Sequence, residues 1–318
     1  MTLEIDRVTK RFGGTLALDR LAFDVPEGSI FGFLGANGAG KTTTMRICLG
    51  ILEPDGGEIR WKGRRSADLP RRTWGYLPEE RGLYPRLPVL DQLVYFARLY
   101  GHPAERARRE ALGWLDRFRI ADVADRRAEQ LSKGNQQKVQ FVAAILHEPE
   151  VLLLDEPFTG LDPVNLGLLR EALLELHGRG RTVVLSTHQM ELAEAHCEAV
   201  AIVDRGRVVA GGTIADLKRR SRRRVVRIAT DAEPSSDWVG ASEGWRVIDQ
   251  NPGRIEVELL DGTDPSAVLA AAIAHGARVS RFETAEPSLE ALFIEHVGRP
   301  ADVEAPRDEP VEAAAVAT

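Results

Sequence analysis

The stretch GANGAGKT, Gly35 to Thr42, decides the fold, and it follows the apolar run Ile30 to Leu34. Its three glycines let the backbone close around an anion, so that successive N–H groups point inward. Lys41 adds a positive charge for the β- and γ-phosphates, Thr42 offers a hydroxyl to Mg²⁺, and a helix beginning near Lys41 aims its positive dipole end at the same place. The spacing fits G-x-x-x-x-G-K-[ST] between a strand and a helix, so it predicts a triphosphate-binding loop; a chance glycine-rich loop is the weaker alternative.

Composition narrows the class of protein. The 318 residues, 43% of them hydrophobic, are enough for one large domain and a small one. We expect a soluble, cytoplasmic protein, because no apolar run approaches the roughly 18 to 20 residues that cross a bilayer and Met1 to Lys10 has no signal core. A net charge of −6 argues against a general nucleic-acid binder. Cys48 and Cys197 lack metal-ligand spacing, so we expect reduced thiols and no metal site made by them.

Two predicted strands precede the phosphate-binding loop. Leu3, Ile5 and Val8 alternate with polar residues, and Ala22 to Val25 forms a second short segment. Phe12 lies between them in a predicted polar loop. Two interpretations of this aromatic side chain stay open: an anchor in the core, or a platform on which a flat base stacks.

From Leu90 onward the hydrophobic period becomes helical. One stripe runs from Leu90 to Ala97 and a second from Ala111 to Phe118. Each stripe is most simply a core face. Because strands on both sides are separated by about seventy mostly helical residues, the pattern predicts a helical subdomain, about 83–146, inserted in an α/β domain.

A buried strand is predicted to end in two carboxylates. Val151 to Leu154 is a continuous apolar run, typical of a parallel strand buried on both faces. Asp155 and Glu156 follow at its carboxyl end, where open α/β sheets place their ligands. The chain then turns into a helix for which Asp162 is the predicted N-cap and Pro163 the first residue.

Two further patterns have both a structural and a functional interpretation. Ser132 and Gly134 open a predicted helix, which could be an anion site or an ordinary cap. His188 follows the buried strand Val183 to Leu185, and a histidine there is as often structural as catalytic. Residues 199–209 complete the pattern as a predicted hairpin at the sheet edge.

The composition shifts after Leu217. Lys218 to Arg224 contains six basic residues in seven. We interpret this run as a solvated hinge; contact with anionic lipid or nucleic acid is the alternative. Residues from about 222 to 298 are predicted to form a small α+β domain, and 299–318 a disordered tail.

The order of these motifs resembles that of the ATP-binding cassette (ABC) transporter ATPases, over about Leu3 to Leu217. The matching stretches are GANGAGKT (Walker A), LSKGN at Leu131 to Asn135 (the family signature), VLLLDEP at Val151 to Pro157 (Walker B), TGLD at Thr159 to Asp162 (the D-loop), His188 (the switch histidine) and Phe12 (the adenine-stacking aromatic). The resemblance implies an α/β phosphate-loop ATPase core, 1–217, with an antiparallel β edge subdomain and the inserted helical subdomain, plus the small C-terminal α+β domain.

The resemblance also implies roles for single residues. Asp155 would hold Mg²⁺ through its water shell together with Thr42, Glu156 would act as general base, and His188 would sense the γ-phosphate. Ser132 and Gly134 would complete the site of a second cassette arranged head to tail. The nucleotide-binding residues implied are Phe12, Gly35, Ala36, Asn37, Gly38, Ala39, Gly40, Lys41, Thr42, Thr43, Ser132 and Gly134.

Two departures from the family pattern matter. Glu79, in YLPEERGLY, stands where most relatives carry a glutamine, and a carboxylate there could replace that glutamine as a Mg²⁺ ligand. This variant resembles single-cassette exporter ATPases of the sodium-extrusion and drug-export kind, whose C-terminal domain also ends in a phrase like PSLEALF, Pro287 to Phe293. The signature carries Lys133 and Asn135 where glycine and glutamine are commoner.

The resemblance therefore implies an ATPase that uses ATP and Mg²⁺, works as a homodimer and energises export through a transmembrane permease on a separate chain. The helical subdomain would dock that permease, which would hold the protein at the cytoplasmic face of the cell membrane; we expect no specific nucleic-acid partner. One alternative is a soluble ABC ATPase acting in translation or DNA repair. Another is a nucleotide-binding regulator without turnover, which the presence of Lys41, Asp155, Glu156 and His188 disfavours.

Overall fold

The structure is a computed structural model that describes residues 2–80, 82–221, 223–230, 244–251, 253–260 and 262–297. The predicted tail, 299–318, lies outside the described residues. The strands are, in chain order, β1 (Thr2–Phe12), β2 (Thr15–Pro26), β3 (Ile30–Leu34), β4 (Gly56–Trp61), β5 (Arg64–Arg65), β6 (Trp74–Leu77), β7 (Val151–Asp155), β8 (Thr182–Thr187), β9 (Ala199–Asp204), β10 (Arg207–Thr213), β11 (Arg224–Thr230), β12 (Trp245–Asn251), β13 (Arg254–Leu259) and β14 (Val279–Ala285). The helices are α1 (Lys41–Cys48), α2 (Val89–Leu99), α3 (Ala104–Arg117), α4 (Lys133–Ile145), α5 (Pro163–Gly178), α6 (Met190–His196), α7 (Ile214–Arg220), α8 (Pro265–Ala274) and α9 (Leu289–Val297).

The central sheet has the strand order β10-β9-β3-β8-β7-β6, and β9, β3, β8, β7 and β6 run parallel. Its apolar strands are buried on both faces, as the continuous run in β7 predicts. The register pairs Leu34 with Thr187, Asp155 with Ser186 and Leu77 with Leu154. The carboxyl ends of β3, β6, β7 and β8 therefore meet at one edge of the sheet. The hairpin predicted over 199–209 is confirmed as β9 and β10.

An antiparallel sheet of order β2-β1-β4-β5 packs beside the central sheet, and α2, α3 and α4, which lie between β6 and β7 in the chain, pack against one another. Phe118 and Phe141 meet edge to face in the interior of these helices, with ring centroids 5.7 Å apart. Gly75 in β6 allows the close approach of α4, because a Cβ there would lie 2.4 Å from the carbonyl oxygen of Ala144. The predicted α/β fold class is confirmed, and within the described residues no helix is both long and apolar enough to cross a bilayer.

Two local predictions are wrong. The spacing of Met45, Leu49 and Leu52 predicts a helix that continues to Leu52, but α1 ends at Cys48. The reason is a Schellman motif: Gly50 has φ +61°, and the N–H groups of Ile51 and Gly50 donate to the carbonyls of Arg46 and Ile47. Phe12 was placed in a loop, but it is the last residue of the long strand β1.

The C-terminal part has its own sheet, of order β12-β13-β11-β14, covered by α8. Helix α9 packs elsewhere, because Leu289, Leu292 and Phe293 join the main core beside α6 and α7. In the basic run that leads into β11, Arg219, Arg220 and Arg224 are exposed, whereas Lys218 and Arg223 are partly buried. Lys218 pairs with Glu194 of α6, and Arg223 pairs with Glu258 and Glu295, so these two cations tie the C-terminal part together.

Candidate functional site

The Gly35–Thr42 loop joins β3 to α1, as the sequence predicts. Gly40 has φ +106°, and a Cβ there would lie 2.5 Å from the Leu18 side chain, so only glycine fits. At Gly35 a Cβ would lie 2.5 Å from the carbonyl oxygen of Val203. Among the other loop residues Ala39 is buried, Asn37 and Gly38 are exposed, and Ala36, Thr42 and Thr43 are partly buried. The exposed tip gives an anion access to the backbone N–H groups.

Lys41 places its ammonium group inside this loop. The side chain is buried, and its Nζ donates to the carbonyl oxygens of Gly35, at 2.7 Å, and Ala36, at 3.2 Å. The Glu156 carboxylate lies 3.7 Å from the same nitrogen. Burial lowers the pKa of Lys41, and the negative charges around it, that of Glu156 first, oppose this effect. The site therefore holds a buried positive charge that depends on nearby carboxylates.

Asp155 and Thr42 form the second feature of the site. Thr42 Oγ1 donates to Asp155 Oδ2 at 2.6 Å, and Ser186 Oγ donates to Asp155 Oδ1 at 2.8 Å. Within the described residues no group of three His, Cys, Asp or Glu side chains could hold a metal ion. Mg²⁺ is nevertheless compatible with this pair, because it takes one or two protein oxygens and completes its shell with water and phosphate.

Glu156 is held in a strained and specific position. Its backbone adopts the left-handed conformation, with φ +49°, and its N–H donates to the carbonyl oxygen of Ser186. Its Oε1 accepts from the backbone N–H of His188, at 3.0 Å, and lies 2.8 Å from His188 Nδ1. Thr187 Oγ1 donates to Oε2 at 3.2 Å. The end of β8 therefore fixes a buried carboxylate, while the ring of His188 remains half-exposed.

Glu79 follows β6 at the same edge of the sheet and is exposed. Its negative charge acts on the Lys41 ammonium, where it raises the pKa against the effect of burial. The next carbonyl, that of Glu80, accepts from Gln140 Nε2 of α4 at 3.2 Å. The segment after β6 thus carries a negative charge that acts on Lys41 and is hydrogen-bonded to α4.

The signature residues lie at the start of α4. Ser132 is exposed and is the N-cap, since its Oγ accepts from the backbone N–H of Asn135 at 3.3 Å. A Cβ at Gly134 would contact the side chains of Asn165, at 3.4 Å, and Leu161. Among the described residues no hydrogen bond joins Ser132 or Gly134 to the Gly35–Thr42 loop. One chain therefore brings Lys41, Thr42, Asp155, Glu156 and His188 together and leaves the signature apart.

Phe12 is a surface side chain. It is 48% exposed, and the ammonium group of Lys10 lies 5.7 Å from its ring centroid. Lys10 is fixed in turn by a 3.0 Å hydrogen bond to Asp55. The interpretation of Phe12 as a core anchor is wrong, and base stacking stays a prediction.

Sequence reasoning missed several partners of the site. Ser186 and Thr187 donate hydrogen bonds to Asp155 and Glu156. The sequence feature that could have identified them is a pair of hydroxyl side chains at the end of an apolar strand. Gln140 and Gln137 of α4 bond the carbonyls of Glu80 and Pro157. Their signal is a pair of glutamines three positions apart, which lie on the same side of α4.

Comparisons with known proteins agree with this geometry. The ABC transporter family model matches residues 18–159, and the model of the C-terminal domain of DrrA1-3-like ATP-binding proteins matches residues 212–297. The chain is 45% identical to the uncharacterized ABC transporter ATP-binding protein YhaQ of Bacillus subtilis, over 93% of this chain and 98% of that protein. It is 40% identical to the Nod factor export ATP-binding protein I of Paraburkholderia xenovorans, over 66% of this chain and 70% of that protein. A solved dimer of the bacterial ABC transporter cassette MJ0796 superposes with a TM-score of 0.62 at 25% identity, covering 67% of this chain and 98% of the cassette.

The charge balance around Lys41 gives a first prediction. In Glu156→Gln we expect the pKa of Lys41 to fall further, because the largest electrostatic opposition to burial is removed. The titration can be followed by NMR of ¹³C,¹⁵N-lysine-labelled protein, with Lys41 assigned from Lys41→Arg.

The control is Glu150→Gln, at the opposite end of β7, where Glu150 bonds Lys62 rather than Lys41. In Glu150→Gln the pKa of Lys62 should fall, and the pKa of Lys41 should not change. An unchanged or raised Lys41 pKa in Glu156→Gln would contradict the pairing.

Proposed function

The chain belongs to the family of ABC transporter ATP-binding subunits, and on that premise we propose that it powers export through a transmembrane permease on a separate chain. It is an ATPase of that family. Export is supported by the similarity to a Nod factor export ATP-binding protein. We propose residues 1–217 as the cassette, with about 83–146 as its helical subdomain, and 222–298 as the accessory domain. Docking on the permease would place the protein at the cytoplasmic face of the membrane.

Hydrolysis rests on the position of Glu156. Its carboxylate is buried, held by Thr187 and His188, and lies 3.7 Å from the Lys41 ammonium that would meet the phosphates. A carboxylate fixed in this way can orient a water molecule and accept its proton as the water attacks the γ-phosphate. The half-exposed ring of His188, 2.8 Å from the same carboxylate, would contact that phosphate. This buried carboxylate is the observation that carries the proposal.

The nucleotide and its metal would be held by residues of one loop and one strand. Backbone N–H groups of Gly35–Thr42 and the Lys41 ammonium would bind the β- and γ-phosphates. Thr42 and Asp155 would hold Mg²⁺, with Glu79 as a further carboxylate. The ion would neutralise charge on the phosphates. Phe12 would stack on the adenine, because its ring is exposed at the end of β1.

A homodimer would complete the site. Ser132 is exposed at the N-terminus of α4, where free backbone N–H groups favour a phosphate. No hydrogen bond within the described residues links it to its own Gly35–Thr42 loop, and a similar cassette is a dimer. We therefore place Ser132 and Gly134 of each subunit on the nucleotide of the other. Two nucleotides would then join the subunits until hydrolysis.

The permease would dock in an apolar groove between α2, α4 and the end of α1. The groove has a volume of about 300 Å³ and is lined by Leu49, Ile51, Tyr76, Phe96 and Ala143 among others. Ile51 is 57% exposed although it is a large apolar side chain. Gly82 and Gln140 also line the groove. Gln140 of α4 bonds the carbonyl oxygen of Glu80, which lies in the segment after β6. A partner in the groove would therefore touch the segment that carries Glu79.

Loss of the general base gives the second prediction. Glu156→Gln should bind ATP, slow its hydrolysis by about 100-fold or more and accumulate as a dimer in MgATP. Steady-state phosphate release and size-exclusion chromatography with light scattering measure both effects. Glu150→Gln, at the far end of the same strand, should hydrolyse ATP normally; hydrolysis at the parent rate by Glu156→Gln would refute the assignment.

The docking groove gives the third prediction. Ile51→Glu should abolish co-purification with the proposed membrane permease, because a charge would be buried in the apolar contact. Hydrolysis by the isolated protein should persist. Ile273→Glu on α8, where the parent side chain is 60% exposed, is the matched control and should keep the complex. If both variants co-purify equally with that membrane protein, the groove is not the docking site.

A further inference from the structure

A second, polar cleft lies beside the proposed docking groove. Its volume is about 660 Å³, and it is bounded by β4 and β5, by the turn between α2 and α3, and by the segment after α4. Tyr100 and His147 line both the cleft and the groove, so the two concavities share a wall. We call it the Arg64–Arg72 cleft. A volume in this range is typical of small-ligand sites.

The walls of this cleft are basic in a protein whose net charge is −6. Its cationic side chains are Lys62, Arg64, Arg72, Arg106 and Arg181, and its acidic ones are Glu148 and Glu150. Lys62 and Arg106 are engaged in ion pairs with these acidic side chains. Within the part of the chain that is described, Arg64 and Arg72 make no ion pair, and both are exposed. Two guanidinium groups are therefore free to bind an anion, and guanidinium groups suit phosphate because of their planar donor fork.

One residue that lines the cleft has an unsatisfied buried atom. His147 is 6% exposed and its ring stacks on Tyr100 with centroids 3.9 Å apart. Its Nε2 donates to the carbonyl oxygen of Trp74 at 2.9 Å, so Nε2 carries the proton of the neutral ring. Its Nδ1 has no hydrogen-bond partner among the described residues. Buried polar atoms are normally paired, and this one is an acceptor suited to a ligand hydroxyl.

We propose that the Arg64–Arg72 cleft binds a phosphate group with a neighbouring hydroxyl, that is, a phosphoglycerol group. Arg64 and Arg72 contact the phosphate, and His147 Nδ1 accepts from the hydroxyl. The site is separate from the nucleotide loop, because the cleft borders the amino-terminal ends of β6 and β7, at Thr73 and Glu150, while the loop lies at their carboxyl edge.

Two sources can supply this group. One is the headgroup of phosphatidylglycerol in the membrane, and the other is free glycerol phosphate. The lipid source rests on the proposed function, since a permease in the neighbouring groove would bring the cleft to the headgroup layer. There each basic side chain near an anionic surface adds to the attraction.

The experiment uses the full chain and flotation with vesicles. Wild type, Arg64→Gln/Arg72→Gln and the control Arg170→Gln/Arg278→Gln are mixed with vesicles of phosphatidylcholine alone or with phosphatidylglycerol. The control removes the same charge from exposed side chains that do not line the cleft. Isothermal titration with glycerol 3-phosphate and inorganic phosphate tests the free source, and ATP hydrolysis without vesicles is measured for each protein.

We expect wild type and control to bind vesicles that contain phosphatidylglycerol, and the cleft variant to bind them about 10-fold or more weakly. Binding of glycerol 3-phosphate alone, lost in the cleft variant, also supports the site and assigns the free source. The proposal is overturned if wild type binds neither the phosphatidylglycerol vesicles nor glycerol 3-phosphate. It is also overturned if the cleft and control variants bind these probes equally well. The rate of ATP hydrolysis should be equal in all three proteins. Absence of hydrolysis in wild type would refute the proposed function, and the vesicle experiment would still test ligand binding by the cleft.

Discussion

The structure depends on one buried interaction, the approach of the Lys41 ammonium to the Glu156 carboxylate at 3.7 Å. Both side chains are buried, and a buried charge is tolerated only when it is paired and hydrogen-bonded. The two residues are 115 positions apart and meet because β3 and β7 end at the same edge of a parallel sheet, on either side of β8. The sheet thus creates the site by aligning strand ends. Burial of both side chains strengthens their attraction, because the effective dielectric constant is lower inside a protein than in water.

From this pair, polar contacts reach the rest of the chain. Gln137 and Gln140 tie α4 to the carbonyls of Pro157 and Glu80, on both sides of the charged centre. After β8, helix α6 begins two residues beyond His188. Glu194 of α6 accepts a hydrogen bond from the backbone N–H of Leu289 at the start of α9. The PSLEALF phrase therefore attaches the C-terminal part to the helix that follows His188. These contacts join the residues around Lys41 and Glu156 to α4 and to the C-terminal part.

Much of the fold and the site could be predicted from the sequence, because the signals were local. The Gly35–Thr42 loop, the strand before Asp155 and the Asp162 cap each follow from the residues within a few positions. The end of α1 was missed because its apolar residues continue past the Schellman glycine. The contacts of Ser186, Gln140 and Glu194 could not be predicted, since each joins elements far apart in the chain. Lys138 shows the same limit: it is buried, donating to the carbonyl oxygen of Phe118, where its charge alone indicates a surface position.

The most direct test of the dimeric site is a disulfide crosslink between two differently tagged proteins, one Ser132→Cys and the other Asn37→Cys, both in the Glu156→Gln background. The native thiols need not be removed, because burial raises the pKa of both Cys48 and Cys197 to about 12 and keeps them unreactive. The account predicts a disulfide between the two proteins that forms only with MgATP. Crosslinks that form equally well without nucleotide, or that join only identical proteins, would contradict a head-to-tail pair in which each subunit completes the other's site.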